Sequence, residues 1–278
     1  MIPFHLHLVS DSTAETVSSV ARATLAQFED VEAQEHVWPL IRTARQLEKV
    51  LEGVAAHPGV VMYTLVSRDL RDQVKEFCHS RGLPSIPILA RPVTEIAAYL
   101  GAKISSVPGR QYVLSEEYFS RVEAINFTLS HDDGQGAWEL EDADIVILGV
   151  SRTSKSPTCV YLANRGFKAA NIPFVHGCPL PDNLPNLRRP VVVGLTIDPD
   201  RLIQIRTSRL QSINQAADTN YVERDQVLEE LAELRKLATK NHWPVIDVTR
   251  RSVEETAATI IQYQQKHLEK RLTHKEML

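Results

Sequence analysis

Residues 143–158 read ADIVILGVSRTSKSPT, and this stretch decides the fold. ADIVILGV, 143–150, is a continuous apolar run of the kind that forms a strand buried in a parallel sheet. SRTSKSP follows as a turn, and a helix is expected over about 156 to 166. Downstream, strands are expected at 172–175, 190–197 and 244–248, with a long amphipathic helix between the last two. In that helix Val227, Leu228, Leu231, Leu234, Leu237 and Ala238 follow the helical period and form one apolar stripe. Ser252 and Glu255 make a capping box that opens a C-terminal helix.

Upstream, the same alternation runs from the start of the chain. FHLHLVS at 4–10 is strand-like, and Ser12 with Glu15 predicts a capping box opening a helix over about 14 to 28. A strand near 34–38, a helix near 43–56, the strand VVMYTLV, a helix near 68–81, the strand IPIL and a helix near 93–100 follow. The expected fold is therefore α/β, with a mostly parallel N-terminal α/β domain over 1–105 and a P-loop kinase-like α/β domain over 143–278. Residues 106–142, less periodic and carrying Pro108, Gly109, Gly134 and Gly136 around a short helical segment, SEEYFSRVEAINFTL, are expected to connect them.

At 278 residues, 43% hydrophobic and 24% charged, the chain has the composition of a folded globular protein rather than a disordered or fibrous one. Its net charge of −4 argues against a broad basic face for nucleic acid. The first 137 residues hold 12 basic against 17 acidic side chains and the remainder 19 against 18, which points to an anionic ligand in the second half. The longest apolar stretches, VVMYTLV and PVVVGLTI, fall well short of the roughly 18 residues a membrane span needs. With no charged region leading an apolar signal core, the expected location is the cytoplasm. Cys78, Cys159 and Cys178 are odd in number and far apart, so three reduced, mostly buried thiols are expected.

GVSRTSKS, 149–156, sits directly after the buried strand and before the helix, and it matches the phosphate-loop pattern GxxxxGK[ST] except that Ser154 replaces the second glycine. Main-chain N–H groups of Gly149, Val150, Ser151, Arg152, Thr153, Ser154, Lys155 and Ser156 would cradle a polyphosphate, reinforced by the helix dipole. Lys155 would meet the terminal phosphate and Ser156 would hold Mg²⁺ through its hydroxyl. The plain alternative is a strand-to-helix turn capped by Ser154 or Ser156. Ser154 occupies a position that often requires φ > 0, at a cost of roughly 1 kcal/mol or more for a non-glycine residue.

GVSRTSKSPT resembles the phosphate loop of the pyruvate, phosphate dikinase regulatory proteins, a family that also regulates phosphoenolpyruvate synthase. SDSTAET (10–16), YFSRVEAINFTLSHDDG (118–134), GLTIDPDRLIQIRTSRL (194–210) and WPVIDVTRRSVEETA (243–257) resemble it too, while HGCPLP (176–181) and WPVIDVT resemble the dikinase branch more closely. The resemblance implies a bifunctional enzyme. One activity moves phosphate from ADP to a threonine of the dikinase and inactivates it; the other removes that phosphate with inorganic phosphate, giving pyrophosphate. Pyruvate, phosphate dikinase is then the expected protein partner, and a homodimer is compatible with the family. Ala14 stands where the family usually has glycine. SDST is open to two readings, a second anion site at a helix N-terminus or plain capping.

Further candidates flank the loop. Asp198, at the expected edge of the strand VVVGLTI, could hold Mg²⁺ or accept the target's proton, and Asp247 in PVIDVT competes for that role; a turn-forming Asp before Pro199 explains Asp198 equally well. Arg206 and Arg209, one helical turn apart, could present guanidinium groups to phosphoryl oxygens, as could Arg152, although solvated helix arginines are the commoner case. His131 and Asp132 are site candidates on the resemblance, since adjacent turn residues rarely converge on one ion. His5 and His7 are expected to line one face of a strand without chemistry. Three readings compete: the bifunctional kinase acting on the dikinase or on phosphoenolpyruvate synthase, a nucleotide-sensing module without transfer, and a small-molecule kinase.

Overall fold

A computed structural model describes residues 1–105, 107, 116–212 and 221–276, which form two compact units, Met1–Val113 and Leu114–Leu278. In the first, β1 (Ile2–Ser10), α1 (Glu15–Leu25), β2 (Val31–Trp38), α2 (Ala44–Ala56), β3 (Gly59–Thr64), α3 (Arg68–Ser80), β4 (Ser85–Pro87) and α4 (Ala90–Leu100) alternate strictly. The four strands are parallel in the order β2-β1-β3-β4. Apolar side chains pack on both sides of this sheet, Leu6, Leu8, Val17 and Ala21 in one cluster and Leu47, Val50, Val61, Val74 and Cys78 in another.

The second unit begins with α5 (Glu116–Ser130), in the stretch expected to be a connector; α5 packs on the helix and strand that follow the apolar run. Then come β5 (Ile145–Gly149), α6 (Lys155–Ala163), β6 (Ala169–Pro173), β7 (Val191–Thr196), α7 (Pro199–Ser212), α8 (Arg224–Lys240), β8 (Val245–Asp247) and α9 (Val253–Glu276). These strands are also parallel, in the order β6-β5-β7-β8, so both sheets share one topology. Every residue of β5 and β7 is buried, which is why both read as unbroken apolar runs.

Three local expectations change. No Ser12–Glu15 capping box caps α1: its N-cap residue is Ala14, left-handed at φ 67°, with no side-chain cap. Glycine adopts that conformation at no steric cost, whereas Ala14 carries a Cβ into it. A helix beginning at Pro199, α7, precedes the amphipathic α8 as expected, but the apolar stripe of α8 is narrower: Val227, Leu231, Leu234 and Ala238 are buried while Leu228 is exposed. Cys78 and Cys159 are buried thiols, but Cys178 is exposed. The second capping box does form: Ser252 N donates to Glu255 Oε2 at 2.9 Å, and Glu255 N donates to Ser252 Oγ at 3.1 Å. Among the described residues no helix is long and apolar enough to cross a membrane.

Candidate active site

β5 is a central strand of its sheet, and open parallel sheets place ligands beyond the carboxyl ends of such strands. At that end Gly149 has no room for a side chain: a Cβ would lie 2.8 Å from Thr153 Oγ1 and 3.1 Å from the Leu195 carbonyl oxygen. The turn then takes two left-handed residues, Arg152 at φ 75° and Ser154 at φ 60°, before α6 begins at Lys155. Ser154 therefore carries the backbone geometry for which the general pattern uses glycine. Buried Thr153 locks the turn by donating Oγ1 to the Val150 carbonyl at 2.9 Å. Neither Ser154 nor any other side chain caps α6, so the N–H groups at its start are not closed off by a capping hydroxyl.

Lys155 is 7% exposed, and its Nζ donates to the Val150 carbonyl at 3.1 Å. Burial pushes its pKa down to about 8, against the pull of Asp133, Cys159 and Asp132. Those carboxylates arrive on the turn after α5. Asn171 N donates to the His131 carbonyl and Gly134 N to the Asn171 carbonyl, at 2.9 and 2.8 Å, which fastens this turn to β6. Asp132 Oδ1 thereby accepts a hydrogen bond from Ser156 Oγ at 2.9 Å and another from Asn171 Nδ2 at 2.5 Å. Asn171 Nδ2 also reaches Ser156 Oγ at 3.0 Å. Buried Asn171 Oδ1 has no hydrogen-bond partner. The Ser156 hydroxyl and Asp132 carboxylate beside a lysine are hard oxygen donors of the type magnesium takes, so they fit the ion, and Asn171 holds both through its Nδ2.

The remaining candidates are placed differently. The His131 ring lies stacked on Phe127 with centroids 3.8 Å apart, its Nδ1 donating to the Phe127 carbonyl at 2.7 Å. Its carbonyl fastens the turn to β6, its Nε2 lies 3.5 Å from Glu139 Oε2, and its neighbour Asp132 is the group that reaches Ser156. Asp198 is exposed and caps α7, accepting from Arg201 N at 3.0 Å; Asp247 Oδ1 accepts from Thr249 N at 2.8 Å and Thr249 Oγ1 at 2.5 Å. Arg206 and Arg209 do not share a side: Arg206 lies in the buried stripe Leu202–Arg206–Leu210, whereas Arg209 is exposed.

Arg206 is 1% exposed and pairs with Glu230 of α8 at 2.7 Å. It also donates to the Tyr221 carbonyl at 2.8 Å, lies 4.4 Å from the centre of that ring, and comes within 3.5 Å of the Ser151 carbonyl. Tyr221 Oη is in turn 2.9 Å from Ser151 Oγ and accepts from Arg152 Nε at 3.4 Å. This guanidinium braces the loop from below and is occupied. Asn171, Tyr221 and Glu230 were not candidates from sequence. Only Asn171 carried a signal, as the one strongly polar side chain inside the strand AANIP.

A profile of the kinase/pyrophosphorylase family matches residues 6–261. The chain belongs to the kinase/pyrophosphorylase family. A protein of Paramagnetospirillum magneticum is 51% identical over 275 residues, covering 99% of this chain and 88% of its own length. One from Maricaulis maris is 52% identical over 258 residues (93% and 92%), and one from Sphingopyxis alaskensis 51% over 261 (94% and 97%). All three carry the provisional name pyruvate, phosphate dikinase regulatory protein. The residues matched by the family profile include both the turn at 149–156 and the turn bearing Asp132.

Proposed function

We propose that the chain is a bifunctional regulator of pyruvate, phosphate dikinase. In the inactivating direction the hydroxyl oxygen of a dikinase threonine attacks the β-phosphorus of ADP. The bond from that phosphorus to the bridging oxygen breaks, AMP leaves, and the hydroxyl proton passes to the Asp133 carboxylate. In the activating direction an oxygen of inorganic phosphate attacks the phosphothreonine phosphorus, the threonine oxygen leaves and takes a proton, and pyrophosphate is released. The family and the names of the relatives support the regulatory role. The observation that carries the chemistry is Asp132 held 2.9 Å from the phosphate-loop hydroxyl of Ser156, beside Lys155.

Main-chain N–H groups of residues 151–156 would bind the phosphates, and the Lys155 ammonium would neutralise charge on the transferring group. Ser156 and Asp132, ordered by Asn171, would hold magnesium, which when bound offsets phosphate charge and aligns the phosphates. Gly149 lets Thr153 and the Leu195 carbonyl pack closely against the start of the loop, and Arg206 keeps Ser151 in place.

The test is to incubate the protein with purified dikinase and ADP labelled on the β-phosphate. Label is expected on a dikinase threonine, with ADP favoured over ATP at equal concentration, and it should leave as pyrophosphate when unlabelled phosphate is added. Lys155→Ala and Asp132→Asn should each keep the fold and lower transfer by about two orders of magnitude or more, as loss of a charge-assisted transition-state contact does. ADP binding without transfer would leave a nucleotide-sensing module, and labelling of a free metabolite without protein would indicate a small-molecule kinase. Either result overturns the proposal.

A further inference from the structure

Beyond the phosphate loop, a second group of metal-type donors lies where the segment after β6 meets α8. His176 Nδ1 is 3.0 Å from Glu233 Oε2, and one donor atom each from His176, Glu229 and Glu233 all lie within 4.8 Å of one another. Glu229 and Glu233 are four residues apart on α8, so they project from one face of the helix. Like charges at that spacing repel unless something positive lies between them. Nearby Glu230 is neutralised by Arg206 at 2.7 Å, but among the described residues no lysine or arginine forms an ion pair with Glu229 or Glu233, Lys236 included. The imidazole responds to this field: Glu233, then Glu229 and Glu230, hold its pKa above the ordinary histidine value.

We propose that His176, Glu229 and Glu233 form a binding site for a divalent transition-metal ion such as zinc or cobalt(II), separate from the magnesium site of the phosphate loop. One imidazole nitrogen with two carboxylates suits first-row transition ions, whereas magnesium and calcium favour oxygen alone. Three protein donors leave at least one position open for a further ligand, and Glu233 also lines a groove with Cys178, Lys236 and Lys240. A bound ion would tie the segment after β6 to α8, the helix whose Glu230 holds Arg206 against Ser151.

The full chain is titrated with cobalt(II) in a large excess of magnesium, following visible absorption and then displacement by zinc. The expected result is one saturable equivalent whose affinity falls at least tenfold in His176→Ala and in Glu233→Gln, with far-ultraviolet circular dichroism unchanged. Should His176→Ala disturb its loop, Glu229→Gln, exposed on α8, serves the same comparison. Asp132→Asn should retain the equivalent, which separates this site from the proposed magnesium site. Cobalt taken up by His5, His7, His36 or His57 persists in all of these variants and identifies itself. No saturable uptake by the unaltered chain, or the same uptake by His176→Ala and Glu229→Gln, overturns the proposal.

Discussion

At the scale of single residues, Ser154 shows how a departure from a motif can keep the motif's geometry. Its φ of 60° is the conformation a glycine would take freely, and its side chain makes no cap bond to α6. Ser154→Gly should relieve roughly 1 kcal/mol of backbone strain, part of which is returned through the freer unfolded chain. The expected outcome is a melting temperature unchanged or slightly raised, and on the proposed function an unchanged ADP affinity, because main-chain N–H groups would make the contacts. A tenfold loss of affinity in calorimetric titration, about 1.4 kcal/mol, would show instead that the hydroxyl is a ligand. Lys155 is the opposite case. Its identity matched the pattern from the outset, and only the structure adds the burial that brings its pKa down to about 8.

At the scale of elements, the loop depends on α7 and α8 as much as on its own sequence. Arg206 is buried with one Nε unpartnered, one nitrogen on Glu230 and one on the Tyr221 carbonyl. Removing one partner of a buried ion pair leaves an uncompensated charge and costs about 3 kcal/mol or more. Arg206→Lys should therefore not rescue the native protein, since an ammonium lacks the planar fork that spans Glu230 and Tyr221 together. Urea denaturation should show a loss of a few kcal/mol for Arg206→Lys and a similar loss for Glu230→Gln. Arg209→Ala, on the exposed side of the same helix, should fall within about 0.5 kcal/mol of the original. Equal stability of all three would remove the brace assigned to Arg206.

At the scale of the molecule, the first unit carries its own pH dependence on the β1–β2 surface. His7 and His36 stack with centroids 4.6 Å apart, His36 and His57 at 5.4 Å, and His5 Nδ1 meets His36 Nε2 at 3.0 Å. Buried His7 donates Nε2 to the His57 carbonyl and accepts from Trp38 Nε1 on Nδ1, so its neutral form is fully satisfied. Burial lowers the pKa of His7, and burial with the charges of His5 and His57 lowers that of His36. A histidine with a depressed folded pKa stabilises the fold above the ordinary value of about 6.5, and that stability is lost as pH falls below it. The Trp38 indole N–H, followed by NMR through thermal melts, should therefore disappear at a lower temperature at pH 5.0 than at pH 7.5. His36→Gln should narrow the gap, and equal midpoints at both pH values would rule the effect out. The sequence placed His5 and His7 on one face; that His36, Trp38 and His57 complete the cluster follows from the parallel register of β1 and β2 and the return of α2.

By itself the sequence determined the alternation of strands and helices, the two α/β sheets, the tight turn between β5 and α6, and the capping box of α9. Each rests on interactions among residues a few positions apart, where hydrophobic period and side-chain reach leave a readable pattern. Tertiary structure decided which groups meet that loop. Asp132 reaches Ser156 across 24 residues only because the turn after α5 hydrogen-bonds to β6. Arg206 faces inward because Leu202 and Leu210 set the buried stripe of α7, which the simple arginine spacing did not reveal. The left-handed Ala14 displaced a capping box the local pattern favoured, and Asn171, Tyr221, Glu230 and the His176–Glu229–Glu233 group come together across elements with no shared period to announce them. Contacts of that kind are set by how sheets and helices pack, and packing is a property of the whole chain.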